Sequence, residues 1–241
     1  MIAACVVPAY QAAATLGGVC AAVRAHAPGA LLVVVDDGST DATAAVATAC
    51  ADVVVRFPVN RGKGAALRAG FAAATARGAE AIVTLDADGQ HDASCIPAFL
   101  RALAGADLVL GVRTRAGSPM PLVRRACNAL STRAIGWCAG RPIADAQCGF
   151  RAIRRTLLEA VPHLGERYEA ETAFVIRAAR AGARLAQVGI PTLYGPPSHF
   201  RPLPDAARIV ATIWALRPSR SRSCASSAPT TTASSPTVST A

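Results

Sequence analysis

Short runs of apolar residues alternate with longer alanine-rich stretches from Ile2 to Gly111. The short runs predict buried strands, and the alanine-rich stretches predict helices. Strands that alternate with helices favour an α/β fold with a mainly parallel sheet covered on both faces. The predicted strands are Ile2–Val7, Leu31–Val35, Val53–Arg56, Ala81–Leu85 and Leu108–Gly111, and the predicted helices lie near Thr15–His26, Asp41–Cys50, Gly64–Arg77 and Pro97–Leu103.

The pattern changes after Gly111, where proline and arginine become frequent. Further helices are predicted near Leu122–Cys138 and Glu169–Ala181, and a further strand near Leu185–Val188. The segment Ala206–Leu216 places Ile209, Val210, Ile213 and Trp214 on one stripe at helical spacing. This stripe either packs on the sheet or lies at a membrane surface.

The end of the chain has a different composition. From Pro218 it consists of serine, threonine, alanine and proline with almost no large apolar residue. Such a segment buries too little surface to fold. We therefore expect a single domain over residues 1–216 and a disordered tail over residues 217–241.

The chain is basic, with 25 lysine and arginine residues, 15 acidic ones and a formal net charge of +10. This balance favours polyanionic partners such as nucleic acid, an anionic membrane or a phosphorylated substrate. A non-catalytic nucleic-acid binder would need interleaved aromatic residues or a reading helix, and aromatic residues make up only 5%. We expect no nucleic-acid partner.

The eight cysteines form no CxxC pair and no cluster with histidine at zinc spacing. No signal peptide is visible before the first apolar run. No apolar stretch reaches the ~20 residues that a membrane span needs. These features predict a cytoplasmic protein.

Acidic residues follow two of the predicted strands directly. Asp36 and Asp37 come after the second strand, and Asp86 and Asp88 after the fourth. Ligands of open parallel sheets bind beyond the carboxyl ends of the strands. At least four carboxylates are therefore expected at one edge of the sheet.

Crowded carboxylates repel each other unless a cation lies among them. Asp86 and Asp88 can both face a divalent ion, and Gln90 offers a neutral oxygen. Oxygen ligands suit Mg²⁺ or Mn²⁺ rather than zinc. Such an ion can neutralise a pyrophosphate leaving group. The alternatives are a solvated acidic turn, or Asp86 as the cap of the next helix.

The stretch Asn60-Arg61-Gly62-Lys63-Gly64 precedes a predicted helix and contains the only lysine of the chain. Glycines let a backbone approach an anion, and a helix start favours negative charge. The spacing is not that of a P-loop. A phosphate contact and a simple helix-entry turn both fit this stretch.

Several short motifs occur in one order over roughly residues 2–210. They are Val7-Pro8-Ala9-Tyr10, Val35-Asp36-Asp37-Gly38-Ser39-Thr40-Asp41, Asn60-Arg61-Gly62-Lys63-Gly64-Ala65-Ala66, Leu85-Asp86-Ala87-Asp88-Gly89-Gln90-His91, Gly111-Val112-Arg113, Arg124 with Asn128, Gln147-Cys148-Gly149-Phe150-Arg151, Tyr168-Glu169-Ala170-Glu171, and Tyr194-Gly195 through Ser198-His199-Phe200-Arg201-Pro202. In this order they make the chain resemble the family-2 glycosyltransferases, in particular the dolichyl- or polyprenyl-phosphate sugar synthase branch.

The resemblance implies a GT-A (Rossmann-like) fold and a hexosyltransferase that uses Mg²⁺ or Mn²⁺. The residues it implies are, for the nucleotide-sugar donor, Pro8, Tyr10, Asp36, Asp37, Lys63, Asp86 and Ala87; for the metal, Asp86, Asp88 and Gln90; for the acceptor lipid phosphate, Arg113, Arg124 and Asn128; and for a loop that closes over the site, His199 and Arg201. Asp86, Asp88 and Arg113 are the expected catalytic residues. Peripheral contact with the inner face of the cell membrane is the expectation that a lipid acceptor adds.

The sequence departs from the family pattern in two respects. Gln11-Ala12 stands where the family usually has Asn-Glu, and that glutamate helps to seat the nucleotide. Many relatives also continue into transmembrane helices, whereas this chain ends in a polar tail. The first departure puts donor affinity or base preference in question.

The predicted reaction is a single displacement with inversion, in which an acceptor phosphate attacks the sugar. A phosphate is already ionised at neutral pH and needs no general base, whereas a hydroxyl acceptor would need one. Asp145, Glu169 and Glu171 are the candidates for that alternative. A sugar-1-phosphate nucleotidylyltransferase is a further alternative, but it would usually carry a GGxGxR loop after the first strand.

Overall fold

The structure is a computed structural model that describes residues 2–113, 122–161, 165, 167, 169–191 and 210–217, with the backbone alone for residues 122–130. Within these residues seven strands form one sheet. The strands are β1 (Ala3–Ala9), β2 (Leu31–Asp36), β3 (Val53–Arg56), β4 (Ala81–Thr84), β5 (Leu108–Arg113), β6 (Arg151–Arg154) and β7 (Leu185–Ile190). The helices are α1 (Ala13–His26), α2 (Thr43–Cys50), α3 (Lys63–Thr75), α4 (Ile96–Leu103), α5 (Leu122–Ala139), α6 (Arg155–Ala160) and α7 (Glu169–Arg180), and a 3-10 turn covers Ala93–Cys95.

The strand order is β3-β2-β1-β4-β6-β5-β7. Every neighbouring pair is parallel except the two pairs that involve β6, which runs antiparallel to both β4 and β5. The other six strands therefore all point the same way, and their carboxyl ends meet at one edge. The predicted α/β fold with a mainly parallel sheet is confirmed.

The core lies on both faces of the sheet because helices cover both faces. Val6 of β1 faces α3, where it packs in one cluster with Ala66 and Leu67. Its neighbours Cys5 and Val7 belong to the cluster on the opposite face. Successive side chains of a strand alternate between faces, so a strand buried on both reads as a continuous apolar run. This is why the apolar runs were sufficient to locate these strands.

The sequence prediction missed β6 and the short helix α6 that follows it. β6 has four residues and begins and ends with arginine, so it lacks the apolar run that marked the other strands. Arg151 is nonetheless buried, because its guanidinium donates hydrogen bonds to the carbonyl oxygens of Ala146, Cys148 and Glu171. A buried arginine satisfied in this way gives no periodic signal.

The helical segment at residues 210–215 places residues of the stripe predicted between Ala206 and Leu216 in different environments. Ile213 packs against the core, whereas the side chain of Trp214 is 66% exposed. Ile209 lies outside the described residues, as does the predicted tail from residue 218 onward. No helix among the residues described is both long and apolar enough to cross a bilayer.

Candidate active site

The predicted site residues gather where β1, β2, β4 and β5 end. Tyr10 follows β1, Asp36 is the last residue of β2, and Arg113 is the last residue of β5. Asp86 lies two residues beyond the end of β4. The strand order reverses at β1, which lies between β2 and β4, and open parallel sheets bind ligands beyond the strand ends at such a point.

Asp36 is completely buried, and its two carboxylate oxygens have different surroundings. Oδ1 accepts the backbone N–H of Ser39 at 2.9 Å. Oδ2 lies 3.3 Å from Nε of Arg56, but it accepts no hydrogen bond from the described residues. A buried acceptor of this kind can pair with an N–H group of a ligand, because an unsatisfied carboxylate oxygen is costly to bury.

Asp37 holds the loop that precedes α3. Its carboxylate accepts the side-chain amide of Asn60 at 3.1 Å and the backbone N–H groups of Arg61 and Gly62 at 2.7 and 2.8 Å. Burial raises the pKa of Asp37, although the N–H groups of Arg61 and Gly62 oppose the rise. The family resemblance implies that Asp37 contacts the nucleotide. In the structure its oxygens accept hydrogen bonds from the loop that leads into Lys63, and these bonds fix the conformation of that loop.

Gln11, one of the two residues that depart from the family pattern, joins β1 to the loop after β2. Its side-chain oxygen accepts the N–H groups of Thr40 and Asp41, and its own N–H donates to Oγ of Ser39. It adopts a positive φ of 50°, which is uncommon for a residue other than glycine. The glutamine therefore holds the backbone of residues 39–41 beside the end of β1.

Lys63 and Asp86 form the centre of a buried ion-pair cluster. Nζ of Lys63 lies 2.6 Å from Oδ1 of Asp86 and 2.9 Å from Oε2 of Glu171. Burial by itself would raise the pKa of Asp86, but the charge and hydrogen bond of Lys63, together with His91 and Arg151, outweigh it and hold that pKa well below its ordinary value of 3.8. Arg151 approaches the far oxygen of Glu171 at 3.8 Å. From the sequence, Glu171 was only a candidate base for a hydroxyl acceptor, and Arg151 had no assigned role.

Gly149 closes one side of this cluster. A Cβ at this position would lie 2.7 and 2.8 Å from the two carboxylate oxygens of Asp86, and 2.8 Å from Nζ of Lys63. Its carbonyl oxygen accepts the hydroxyl of Thr84 at 2.6 Å, which ties the loop to the end of β4. The site was predicted without Gly149, although the stretch Gln147–Arg151 that contains it was part of the resemblance.

His91 lies on the other side of Asp86. The backbone N–H of Asp86 donates to Nδ1 of the ring at 3.1 Å, which assigns the ring proton to Nε2. Burial lowers the pKa of His91, although the carboxylate of Asp86 opposes the shift. The imidazole is therefore neutral at physiological pH.

Asp88 offers a different environment from Asp86. Its Oδ1 accepts the backbone N–H of Gln90 at 2.9 Å, and no described residue donates to its Oδ2. Nowhere in the described part of the chain do three or more His, Cys, Asp or Glu side chains gather as a metal site. Mg²⁺ typically binds through one or two carboxylates together with waters and substrate phosphates. Asp86, Asp88 and Gln90 fit an ion of that kind, held in large part by the diphosphate.

Arg113 forms a two-point contact with Asp145. Nε and Nη2 of the guanidinium donate to the two carboxylate oxygens at 2.8 and 3.1 Å. Asp145 is buried, whereas the side chain of Arg113 is 37% exposed. No described residue accepts a hydrogen bond from Nη1 of Arg113.

The remaining predicted residues are placed less fully. Pro8 lies within β1, and Ala87 is buried with its carbonyl accepting the hydroxyl of Thr15 at 2.6 Å. Arg124 and Asn128 lie on α5, but their side chains are outside the described residues, as are His199 and Arg201.

The fold is that of the GT-A glycosyltransferases, and comparison with known proteins agrees. The model of the family "Glycosyl transferase family 2" matches residues 4–161, and the chain belongs to this family.

Two relatives with assigned activities show where in the family the chain lies. Undecaprenyl-phosphate mannosyltransferase of Micrococcus luteus is 30% identical over 198 residues, which cover 77% of this chain and 81% of the relative. Dolichyl-phosphate hexose transferase of Haloferax volcanii is 32% identical over 191 residues, which cover 78% and 81%. The chain is thus similar to enzymes that act on lipid phosphates.

A solved structure shows a similar fold with ligands bound. Glucosyl-3-phosphoglycerate synthase from Mycobacterium tuberculosis, in complex with Mn²⁺, uridine diphosphate and glucosyl-3-phosphoglycerate, superimposes with a TM-score of 0.68 at 26% identity. The match covers 91% of this chain and 81% of that one. Another crystal of the same enzyme contains Mg²⁺ and uridine diphosphate.

Proposed function

We propose that this chain transfers a hexose from a nucleotide-sugar donor to the phosphate of a polyprenyl lipid, with inversion at the anomeric carbon. A hydroxyl acceptor would need a carboxylate as its general base. The proposal rests on the observation that each candidate for this base already has a partner in the protein. Asp145 is held by Arg113, and Glu171 by Lys63, while Glu169 accepts the backbone N–H of Arg167. An acceptor phosphate is ionised near neutral pH and needs no base.

The relatives support the same acceptor. Two are named for lipid phosphates, undecaprenyl and dolichyl, and they cover most of this chain. The structural neighbour has also been crystallised with Mn²⁺, uridine diphosphate and phosphoglyceric acid, a compound that carries a phosphate. Family membership favours a glycosyltransferase over the nucleotidylyltransferase and the nucleic-acid binder that the sequence left open.

The residues take the following roles in this proposal. Pro8, Tyr10, Asp36 and Asp37 form the nucleotide end of the site, and Lys63 and Ala87 lie beside the diphosphate. Asp86, Asp88 and Gln90 hold Mg²⁺ or Mn²⁺, and the bound ion would neutralise the diphosphate leaving group. The guanidinium group of Arg113 binds the acceptor phosphate, together with Arg124 and Asn128 on α5. His199 and Arg201 belong to the closing loop.

The reaction is a single displacement. Arg113 orients the acceptor phosphate so that one of its oxygens attacks the anomeric carbon as the bond from that carbon to the nucleoside diphosphate breaks. The negative charge moves from the acceptor to the leaving group, and no proton is transferred. The acceptor phosphate and the donor diphosphate are held on opposite sides of the sugar. This arrangement supplies the proximity that the reaction requires.

A lipid acceptor requires contact with a membrane, and we place that contact at the face that carries Trp214. The guanidinium of Arg217 lies 3.5 Å from the centre of the exposed Trp214 ring. Trp137, 61% exposed, is next to Cys138, whose thiol contacts the carbonyl of Ile213. Tryptophan and arginine side chains are well suited to the headgroup region of an anionic membrane. We propose a cytoplasmic protein in peripheral contact with the inner face of the membrane.

The acceptor comparison tests the proposal. The protein is incubated with Mn²⁺ and UDP-, GDP- or dTDP-hexoses, and with undecaprenyl phosphate, undecaprenol or 3-phosphoglycerate as the acceptor. We expect transfer to undecaprenyl phosphate and none to undecaprenol, which has the same lipid chain and a hydroxyl. Transfer to undecaprenol or 3-phosphoglycerate at an equal rate would contradict it.

A further inference from the structure

The ammonium group of Lys63 occupies the space between two carboxylates at the centre of the site. It lies 2.6 Å from Oδ1 of Asp86 and 2.9 Å from Oε2 of Glu171, and its side chain is only 14% exposed. A lysine held between two carboxylates is charged at neutral pH. A full positive charge therefore already neutralises one of the carboxylates assigned to the metal.

Two further groups lie against the carboxylate of Asp86, which is 28% exposed. Gly149 is so close that even a Cβ would lie 2.8 Å from Nζ of Lys63 and from Oδ1 of Asp86. The neutral ring of His91 lies at the other side, with Nε2 at 3.9 Å from Oδ2. Among the described residues, Lys63 is the one cationic side chain within hydrogen-bond distance of this carboxylate.

Asp88 contrasts with Asp86 in this respect. No cationic side chain of the described part of the chain forms an ion pair with Asp88. The two aspartates of the Asp86-Ala87-Asp88 triplet therefore differ, because one is neutralised from within the protein and the other is not. A divalent ion that used both would lie close to the ammonium group of Lys63 and be repelled by it.

We propose that Lys63 is an internal counter-cation that keeps a divalent ion from binding at Asp86 until a nucleoside diphosphate is present. The inference rests on the proposed function, since the ion and the nucleotide are those of that reaction. Lys63 is the first residue of α3, where the helix terminus favours an anion. When the diphosphate binds there, the ammonium group turns to its oxygens and the repulsion is offset. Metal and nucleotide then bind cooperatively, and each strengthens the other by the same factor.

Glu171 contacts Lys63 from the side opposite Asp86 and thereby affects how strongly Lys63 opposes metal binding at Asp86. It attracts the ammonium group away from Asp86, and its own far oxygen lies 3.8 Å from Arg151. Loss of the Glu171 charge leaves Asp86 as the stronger partner of Lys63, so Lys63 should oppose metal binding at Asp86 more strongly. Loss of the Lys63 charge has the opposite effect. Lys63 and Glu171 are positioning residues in this scheme.

Titration of Mn²⁺ followed by electron paramagnetic resonance, with and without GDP or UDP, tests the inference. For the unaltered protein we expect nucleotide to tighten Mn²⁺ binding by about tenfold or more. In Lys63→Met, Mn²⁺ alone should bind about tenfold more tightly than to the unaltered protein, and the added effect of nucleotide should shrink. In Glu171→Gln, Mn²⁺ alone should bind no more tightly, and the nucleotide effect should persist.

The two variants separate this role from a merely structural one. Both break the same ion-pair cluster, so structural damage would weaken Mn²⁺ binding in both. Lys63→Arg retains the charge and should retain the cooperativity, which keeps the test decisive if Lys63→Met fails to fold. Equal Mn²⁺ affinity with and without nucleotide in the unaltered protein, or no tightening in Lys63→Met, overturns the inference and leaves the proposed function standing. Absence of Mn²⁺ binding even with both nucleotides would overturn the proposed function.

Discussion

Gly149 lies against the carboxylate of Asp86, at a distance where a Cβ would be 2.7 Å from Oδ2. The contact joins the loop before β6 to the loop after β4, and it brings a backbone surface against the ion pair of Asp86 with Lys63. The position of the Asp86 carboxylate therefore depends on a residue 63 positions away in the chain that has no functional group of its own.

Gly149→Ala should impair the site through this contact. The added methyl group must push Asp86 or Lys63 aside, and overpacking of this kind typically costs about 1–3 kcal/mol of unfolding free energy. We expect a lower melting temperature and a loss of transfer of at least about tenfold, because small displacements of catalytic groups are costly. Gly18→Ala, on an exposed face of α1 with nothing within 4 Å, is the control and should stabilise slightly. Full activity in Gly149→Ala would contradict this account of Asp86.

Arg113→Lys should weaken acceptor binding while preserving the charge. Lysine cannot contact Asp145 at two points and a phosphate at a third, whereas the guanidinium can. We expect the KM for undecaprenyl phosphate to rise by about tenfold or more, with a smaller change in the KM for the donor. Asp145→Asn retains a hydrogen-bond acceptor for Arg113 and should have the smaller effect. Inactive Asp145→Asn with an unchanged acceptor KM would instead identify Asp145 as a general base.

Asp37→Ala should unfold the loop that leads into α3. The change leaves the N–H groups of Arg61 and Gly62 without their acceptor, and we expect a cost of about 2–3 kcal/mol in the free energy of unfolding. Donor affinity should fall as well, since the loop fixes Lys63. Chemical denaturation measures the first effect and isothermal titration with the nucleotide the second. Glu159→Ala, which breaks an exposed pair with Arg155, serves as the control at under about 0.5 kcal/mol.

His91 should make the folded protein less stable in mild acid. Its pKa in the folded state lies below the ordinary value of 6.5, because burial disfavours the imidazolium. Between those two pKa values the unfolded chain binds a proton that the folded protein does not, so this contribution is present above pH 6.5 and is lost as the pH falls. The slope that one such group contributes is at most about 1.4 kcal/mol per pH unit.

Urea unfolding between pH 5 and 8 checks this slope. His91→Gln should reduce it, whereas Gly18→Ala, which changes no titratable group, should leave it unchanged. An identical slope in the unaltered protein and in His91→Gln would show that His91 does not titrate in this way.

Much of the fold could be predicted because the strands are buried on both faces. The run Leu31–Val35 is continuous and apolar, and Ala81–Leu85 is interrupted by Thr84 alone; each appears as a strand within a residue of its predicted bounds. β6 escaped prediction because its burial depends on Arg151, whose partners are carbonyl groups that only the folded chain brings together. The local periodicity of a sequence does not reveal such partners.

The candidate site divides in the same way. Asp36, Asp86 and Arg113 were predictable because each follows a strand, and parallel strands end at one edge. The partners that tune them come from distant positions: Glu171 on α7 reaches Lys63, and Asp145 reaches Arg113. These pairings arise from tertiary packing, which spacing in the sequence does not encode.

We propose that Asp86-Ala87-Asp88 binds the metal of this glycosyltransferase. Its most direct test is the initial rate of hexose transfer to undecaprenyl phosphate by the unaltered protein and by Asp88→Ala, with EDTA and with added Mn²⁺ or Mg²⁺. We predict that EDTA abolishes transfer by the unaltered protein and that either metal restores it. Asp88→Ala should keep its melting temperature and lose at least about 100-fold in rate. Metal-dependent transfer at an undiminished rate in Asp88→Ala would contradict the claim.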